Sequence, residues 1–346
     1  MAGNRTDHGM RQHDGDSEAG PERKIMEFLS RPDSYPEGTG RVEIRETHLS
    51  RVYLTDRFVY KLKKPLRYDF LDFTTPEARL HNCETEVLIN SELAPDVYQG
   101  VVTLAENARE GLNLEGRGRP LDYLVKMRRL PEDRNLEVQM AEGHLDPKDI
   151  DRAARRLAHF YAERPVHGPV QAEKLEKKVG EHAAELRGLP VDTGGRLDKL
   201  ERGLLARLED HRQDLASRRR VDVHGDLRPE HVYPGEKPAF LDRLEFDAGL
   251  RLMDPLEELC FFAMECRRQG NAWVGERFIE VYQQVTGDSA PDSLVAIYTG
   301  YRALLWSLLK ARHLERNDHR KPWGDKARQY LDLGLQALGQ AEDQAS

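Results

Sequence analysis

His224-Gly225-Asp226-Leu227-Arg228-Pro229-Glu230-His231, followed after a turn by Ala239-Phe240-Leu241-Asp242, is the stretch whose reading decides the fold. It sets two carboxylates, Asp226 and Asp242, sixteen positions apart, with the turn Pro234-Gly235-Glu236-Lys237 between two short strand-like runs. A hairpin of that size brings its ends back together, so the spacing predicts that Asp226 and Asp242 face one cavity. One carboxylate beside a hydroxyl and another on Mg²⁺ are what phosphoryl transfer needs, because that chemistry is mostly positioning and charge neutralisation.

A second piece of chemistry lies upstream. Phe58-Val59-Tyr60-Lys61-Leu62-Lys63 reads as a strand, and alternation puts Val59 and Lys61 on one face, with Phe58, Tyr60 and Leu62 on the other. A lysine among apolar neighbours on a strand reaches the phosphates of a nucleotide whose base lies under Val59. It then needs a carboxylate to hold it. The following helix offers Glu84 and Glu86, among Leu80, Cys83 and Val87 at core-like spacing. Glu86 is preferred, because it shares a helix face with Cys83 and Asn90. The plainer alternative makes Lys61 one of several surface lysines, since Lys63 and Lys64 adjoin it.

Composition frames these readings. The 346 residues allow two lobes, and 38% apolar with 33% charged residues suits a globular protein with a highly charged surface. A net charge of -8 argues against a general nucleic-acid or membrane-surface binder. Three scattered cysteines, Cys83, Cys260 and Cys266, are too few for a disulfide framework or zinc site and read as packing residues in a reducing cytoplasm. No run reaches the roughly 18 apolar residues of a membrane span. Residues 1–22 are polar and read as a disordered leader, with His8 and His13 solvent-exposed.

Along the chain, the ordered part begins near Pro21 with a short amphipathic stretch, Lys24 to Leu29, and residues 42–64 read as strands. Thr75, Pro76 and Glu77 start a helix that runs to Leu93 and ends at Ala94-Pro95. Val97 to Leu104 and Leu121 to Met127 are further strands. From Pro131 the pattern turns helical, with Asp146-Pro147 and Asp254-Pro255 as helix starts and 271–285, 291–315 and 322–341 as further helices. Residues 172–217, strongly charged with sparse apolar positions, read as surface helices. The expected class is α+β: a small β-rich lobe with one helix over 23–130 and a larger, mainly helical lobe over 131–346.

The pattern Tyr60-Lys61-Leu62-Lys63-Lys64-Pro65, Leu71-Asp72-Phe73, Leu93-Ala94-Pro95, Met127-Arg128-Arg129-Leu130-Pro131, the His224–His231 stretch and Leu241-Asp242-Arg243-Leu244-Glu245-Phe246 resembles the aminoglycoside phosphotransferase-like family of the protein-kinase-like fold. The likeness runs from about residue 40 to 315 and is closest to an uncharacterised bacterial branch whose members often carry an extra P-loop kinase domain. The sequence has no G-x-x-x-x-G-K-[ST], so that second domain is expected to be absent. The resemblance implies ATP and Mg²⁺ bound between the lobes, with Lys61 on the α/β phosphates, Glu86 orienting it, and Asp242 on the metal. It also implies Asp226 as general base, His224 bracing the loop around it, and Val125 to Leu130, which includes Met127, holding adenine through backbone groups. Asp254 and Arg251 are candidates for the same bracing network. Met127's own side chain, like Phe261 and Phe262, reads as core.

Two departures from the family stand out. An asparagine is expected five residues after the general base, as second metal ligand, and His231 stands there. Imidazole suits Mg²⁺ poorly, so His231 binds the metal through water, contacts phosphate as imidazolium, or marks reduced activity. The nucleotide-covering loop, Glu46-Thr47-His48-Leu49-Ser50, lacks a G-x-G-x-x-G pattern, and Ser50 or nearby amides are left to contact phosphate.

The expected function is transfer of the γ-phosphate to a hydroxyl of a small molecule, by a monomer or homodimer. Alternatives are a catalytically weak nucleotide-binding regulatory module, or transfer to a protein. Nothing in residues 131–217 or after 254 names the acceptor. Glu132, Asp133, Glu257, Glu258 and Glu265 are available to line a pocket for a cation. The runs Arg218-Arg219-Arg220 and Lys126, Arg128, Arg129 read as solvated, the latter near the cleft.

Overall fold

The computed structural model describes residues 20–68, 71–109, 111–114, 116–289, 291–315 and 322–344. The expected leader lies almost wholly outside them, but residues 20–22 form the first turn of helix α1 (Gly20–Leu29). The chain divides into two compact units: Met1–Glu132 with Phe240–Asp247, and Asp133–Ala239 with Ala248–Ser346. Phe240–Asp247, expected with the helical part, therefore belongs to the first unit.

The first unit is built on a six-stranded antiparallel sheet, β1 (Glu43–Glu46), β2 (Ser50–Leu54), β3 (Phe58–Lys63), β6 (Tyr98–Asn107), β7 (Gly111–Asn113) and β8 (Arg119–Arg128), in the order β1-β2-β3-β8-β6-β7. Short strands β4 (Arg67–Tyr68) and β5 (Leu71–Asp72) pair separately. Alternation sorts the faces as the sequence predicts. Tyr53, Tyr60, Leu62, Leu104 and Leu124 join Ile25, Phe28 and Leu29 of α1 in one apolar core, with Phe58 packed against it.

Helix α2 (Pro76–Asn90) starts at Thr75, whose hydroxyl accepts from the Ala78 amide, and ends three residues before the expected Leu93. Its buried face is Arg79, Asn82, Cys83, Glu86 and Asn90 rather than Leu80, Cys83 and Val87, with Leu80 and Val87 only half-buried. A helix that turns polar side chains inward must pair them. Arg79 does so bidentately with Asp122 on β8, at 2.8 and 2.9 Å.

The second unit is mainly helical: α3 (Leu136–Glu142), α4 (Pro147–Ala162), α5 (Ala172–Gly188), α6 (Arg196–Asp210), α7 (Arg212–Ser217), α8 (Ala248–Arg251), α9 (Pro255–Arg268), α10 (Ala272–Thr286), α11 (Asp292–Glu315) and α12 (Trp323–Gln344). Asp146 and Asp254 cap α4 and α9 through their side chains, as their Asp-Pro pairs predict. Between α7 and α9 lie β9 (Val221–Asp222), β10 (Val232–Tyr233), β11 (Ala239–Phe240), whose first residue closes a stretch of this unit, and β12 (Leu252–Met253), which pairs with β9.

The surface-helix reading of 172–217 is corrected. Leu175, Val179, Ala183 and Leu186 of α5 and Leu197, Leu200, Leu204 and Leu208 of α6 are buried, with residues of α11 and α12, in the unit's main core. One apolar residue per turn is enough when it repeats on a single face, however charged the remainder. Arg218-Arg219-Arg220 is corrected too. The Arg218 guanidinium is buried and forks onto Asp254 at 2.7 and 2.9 Å, while Arg220 donates to the carbonyls of Pro169 and His167. Burial alone lowers the Arg218 pKa, but Asp254 and Asp288 outweigh it and raise it well above the ordinary arginine value.

Candidate functional site

In the first unit, β3 carries Lys61 and Lys63 on the face opposite its apolar core, two residues apart. Lys61 Nζ lies 2.9 Å from Glu86 Oε1 and 2.6 Å from Asp242 Oδ1. Glu86, fully buried, also pairs with Lys63, which in turn pairs with Glu245. Glu84 is exposed on the far side of α2. The four-member chain Asp242–Lys61–Glu86–Lys63 with Glu245 thus links its charges pair by pair.

Electrostatics follows that arrangement. Burial alone pushes the Lys61 ammonium down, but Asp242 and Glu86 outweigh it and hold its pKa well above the ordinary lysine value. Lys63 is raised in the same way by Glu86 and Glu245. Burial raises Glu86, and the two lysines overcome it, leaving a carboxylate below its ordinary range. Both lysines and Glu86 stay ionised near neutral pH.

Asp242 is the one described non-glycine residue with a positive φ, +61°. Left-handed backbone costs a non-glycine residue about 1–2 kcal/mol, so it persists only where the surroundings hold it. The Asp242 amide donates to the Tyr98 hydroxyl at 3.1 Å, and the Arg243 amide to Asn90 Oδ1 at 2.7 Å. The side chain remains 46% exposed, so it keeps an open side beyond Lys61. Near Glu86 and Asp242, and buried, the Tyr98 phenol stays protonated far above its usual pKa.

The other predicted residues of this unit fall as follows. Val59 is half-buried on β3, paired in register with Met127 of β8, which is itself half-buried rather than core. The amides of Arg128 and Arg129 donate to the Val97 and Arg57 carbonyls, so they are not available to adenine. The Ser50 side chain is buried, and its amide donates to Thr47 Oγ1 within the turn that joins β1 to β2. Lys126 is half-buried, its ammonium 4.2 Å from the Phe58 ring centroid.

In the second unit, the loop after β9 is shaped by Gly225, whose φ of +94° disfavours any side chain. The buried Glu258 of α9 accepts from both the His224 amide at 2.9 Å and the Gly225 amide at 2.5 Å, and from the Tyr161 hydroxyl. Burial raises the Glu258 pKa against those three hydrogen bonds. His224 is fully buried, which suits a bracing position. Asp226 is partly exposed, with Oδ2 accepting from Arg228 at 2.8 Å. His231 Nδ1 lies 2.8 Å from the Asp226 carbonyl oxygen and its ring stacks 6.0 Å from that of His224.

One bracing expectation is corrected. Asp254 caps α9 and binds Arg218 and the Tyr298 hydroxyl, while the loop itself hangs on Glu258, one turn later. Arg251 holds the strand that leads into the loop, its side chain on Asp222 at 2.7 Å and its carbonyl accepting from the Val223 amide at 2.9 Å. Three of the five acids expected to line a pocket are committed elsewhere. Glu257 pairs with Arg302, Glu258 holds the loop, and Glu265 binds Arg268 and the Tyr330 hydroxyl, all three buried.

Among the described residues, no group of three or more His, Cys, Asp or Glu side chains is placed to hold a metal. The exposed carboxylate edge of Asp242 still fits Mg²⁺, which takes one or two carboxylates and completes its shell with water and substrate phosphates. His231, tied to the Asp226 carbonyl, fits less well. Sequence reasoning did not assign Glu258 to the loop amides, Arg228 to Asp226, or Lys63 to Glu245. The i, i+2 spacing of Lys61 and Lys63 on one strand face was the available signal for the last.

The fold these units carry is that of the small-molecule kinases of the protein-kinase-like class. It is shared with a choline/ethanolamine kinase family protein from Mesorhizobium loti (TM-score 0.58, 16% identity, covering 91% of this chain and 94% of that one). The choline kinase LicA of Streptococcus pneumoniae matches with TM-score 0.55 and 15% identity over 92% of this chain and 98% of its own. A glucosamine kinase solved with glucosamine, ADP and inorganic phosphate matches at 0.52 and 15%, over 94% and 88%. In sequence, the chain is 31% identical over 283 residues to an uncharacterised protein of Mycobacterium tuberculosis, and equally to one of Mycobacterium bovis. That match covers 76% of this chain and 53% of the relative, so the chain spans about half the length of the curated relatives it matches. No protein-family model matches the chain. Among the described residues, no helix is long and apolar enough to cross a membrane.

Proposed function

We propose that this protein transfers the γ-phosphate of ATP to a hydroxyl of a small molecule. The observation that carries the reading is the Glu86–Lys61–Asp242 arrangement, a half-buried lysine held between two carboxylates, one of them 46% exposed and on a strained backbone. Lys61 would donate to the α/β phosphate oxygens, and Glu86 fixes its reach. Asp242 would hold Mg²⁺, which when bound neutralises phosphate charge. Val59 and Met127 would offer their half-buried side chains to the base.

Asp226 would accept the proton of the acceptor hydroxyl. The acceptor oxygen forms its bond to Pγ, the bond from Pγ to the β,γ-bridging oxygen breaks, and ADP leaves with that electron pair. Arg228, on Asp226, aims the carboxylate. The kinases of like fold support phosphotransfer to a small molecule, and one of them was solved with ADP.

The test is a metabolite-library phosphorylation screen with ATP and Mg²⁺ or Mn²⁺, read by mass spectrometry, on wild type, Asp226→Ala and Asp242→Ala. Products heavier by one phosphoryl group are expected from wild type alone. Products that persist in Asp226→Ala would sink the assignment.

A second reading, a nucleotide-binding module with little turnover, is favoured by His231, whose ring is engaged with the Asp226 carbonyl where a second metal ligand would stand. ATP binding without turnover across the library would select it. Label entering protein from γ-labelled but not α-labelled ATP would instead show a protein acceptor.

A further inference from the structure

We propose that the acceptor carries an anionic group, phosphate or carboxylate, bound by Lys310 and Lys326 over an aromatic platform that Arg228 links to Asp226. The inference deepens the phosphotransfer reading and rests on it for the identity of the site.

The geometry lies wholly within the second unit. Trp306 and Lys310 stand four residues apart on α11, hence on one face. Lys310 Nζ is 4.4 Å from the Trp306 ring centroid and 6.0 Å from that of Trp323 on α12. Lys326 lies 5.3 Å from the Trp323 ring. The Arg228 guanidinium is 5.5 Å from the Trp306 ring, and the same guanidinium is 2.8 Å from Asp226 Oδ2. Three cations therefore share two indole rings, and one of them touches the residue assigned to the hydroxyl.

Charge accounting separates these cations. Arg228 is matched by Asp226 and Glu230, and the neighbouring Arg268 by Glu265. Lys310 and Lys326 have no carboxylate partner among the described residues. Glu137, whose pKa burial and Glu230 push up, faces Arg268 and Arg228 rather than the two lysines. Burial, then Arg228, lowers the Lys310 pKa to about 8, with Glu265 opposing and Lys326 and Arg268 reinforcing. A half-buried ammonium among like charges is at its most favourable when an anion joins it.

Neither a plain surface contact nor a cationic acceptor accounts for this cluster as well. A lysine on a tryptophan face is an ordinary surface contact, but a ring neutralises no charge, and here two lysines lack a counter-ion among the described residues. A cationic acceptor would want free aromatic faces and free carboxylates. These rings already carry the protein's own cations, and Glu257, Glu258 and Glu265 are committed to Arg302, the loop amides and Arg268.

The experiment follows intrinsic tryptophan fluorescence of the full chain during titration with inorganic phosphate, acetate or choline chloride. Wild type is compared with the double variant Lys310→Gln/Lys326→Gln and with Lys61→Met. A saturable response of wild type to phosphate or acetate, at least tenfold weaker in the double variant and retained in Lys61→Met, is the expected result. A response to choline but to neither anion, or to none of the three, overturns the proposal. So does a phosphate response that survives in the double variant and disappears in Lys61→Met, because it would place the anion at the nucleotide lysine. Failure of the phosphotransfer reading would show separately, as transfer unaffected by Asp226→Ala, and would leave these titrations unchanged.

Discussion

Lys61 Nζ sits 2.6 Å from Asp242 Oδ1, joining a strand lysine to a carboxylate 181 positions later, and that carboxylate belongs to a residue with φ of +61°. The pairing gives the strained residue a reason to persist. Its amide is held by Tyr98, the next amide by Asn90, and Glu245 three residues on is held by Lys63. The Phe240–Asp247 segment is thus fastened at four points to β3, α2 and β6.

Removing the fastening should separate binding from turnover. Lys61→Met and Asp242→Asn are expected to reduce transfer by about 10²–10³-fold, the scale of losing one preorganised charge at a reacting phosphate. Asp242→Asn should in addition lose the dependence of nucleotide affinity on Mg²⁺ concentration. Isothermal titration at several Mg²⁺ levels beside steady-state rates checks this, and an unchanged metal dependence would remove Asp242 from the metal.

Glu86 should matter to the fold as well as to the site. It is fully buried and shared by Lys61 and Lys63, so Glu86→Gln leaves two buried ammonium groups short of a counter-charge. Breaking a buried ion pair from one side costs about 3–5 kcal/mol. Urea unfolding of Glu86→Gln against Glu84→Gln, whose carboxylate is exposed, should show that loss in the first variant only.

The same network sets a pH window. The folded pKa of Glu86 lies below its ordinary 4.5, so its stabilisation is present above that value and is lost as pH falls through the folded pKa. Lys63 is raised above 10.5, so its contribution is present below that value and is lost as pH rises through the folded pKa. A stability plateau between these limits is expected, and the acid-side slope should be smaller in Glu86→Gln. Unfolding free energies between about pH 3 and 6 measure it, and equal slopes would show that Glu86 is not the titrating group.

Glu258 should act on rate through the loop it holds. Glu258→Ala leaves the His224 and Gly225 amides without an acceptor, at about 1–3 kcal/mol for each buried unpaired group. The expected outcome is lower kcat with KM for ATP little changed, and partial recovery in Glu258→Gln, whose carbonyl still accepts one amide. A rise in KM for ATP with kcat preserved would contradict the assignment.

Much of the secondary structure in both units could be read locally. The alternation of Phe58 to Lys63, the Thr75 cap and the Asp-Pro helix starts all depend on neighbours within a turn or a strand. Glu86 stood out from Glu84 by sharing a face with Cys83 and Asn90, and the buried stripe Arg79, Asn82, Cys83, Glu86, Asn90 contains that face. What escaped was which polar side chains turn inward. Arg218 looked solvated because its partner Asp254 lies 36 positions away. Glu258 looked like surface charge on a helix, because the amides that need it belong to a loop 33 and 34 positions earlier.

Periodicity and capping act over a few residues, so the run of strands followed by helices was already decided by the chain's local chemistry. The commitment of each charge was not. A carboxylate enters a protein interior only with a partner at hydrogen-bonding distance, and here the partners come from 23 to 182 positions away, so three-dimensional packing alone assigned Glu86 to two lysines, Glu258 to a loop, and left Lys310 and Lys326 unmatched among the described residues.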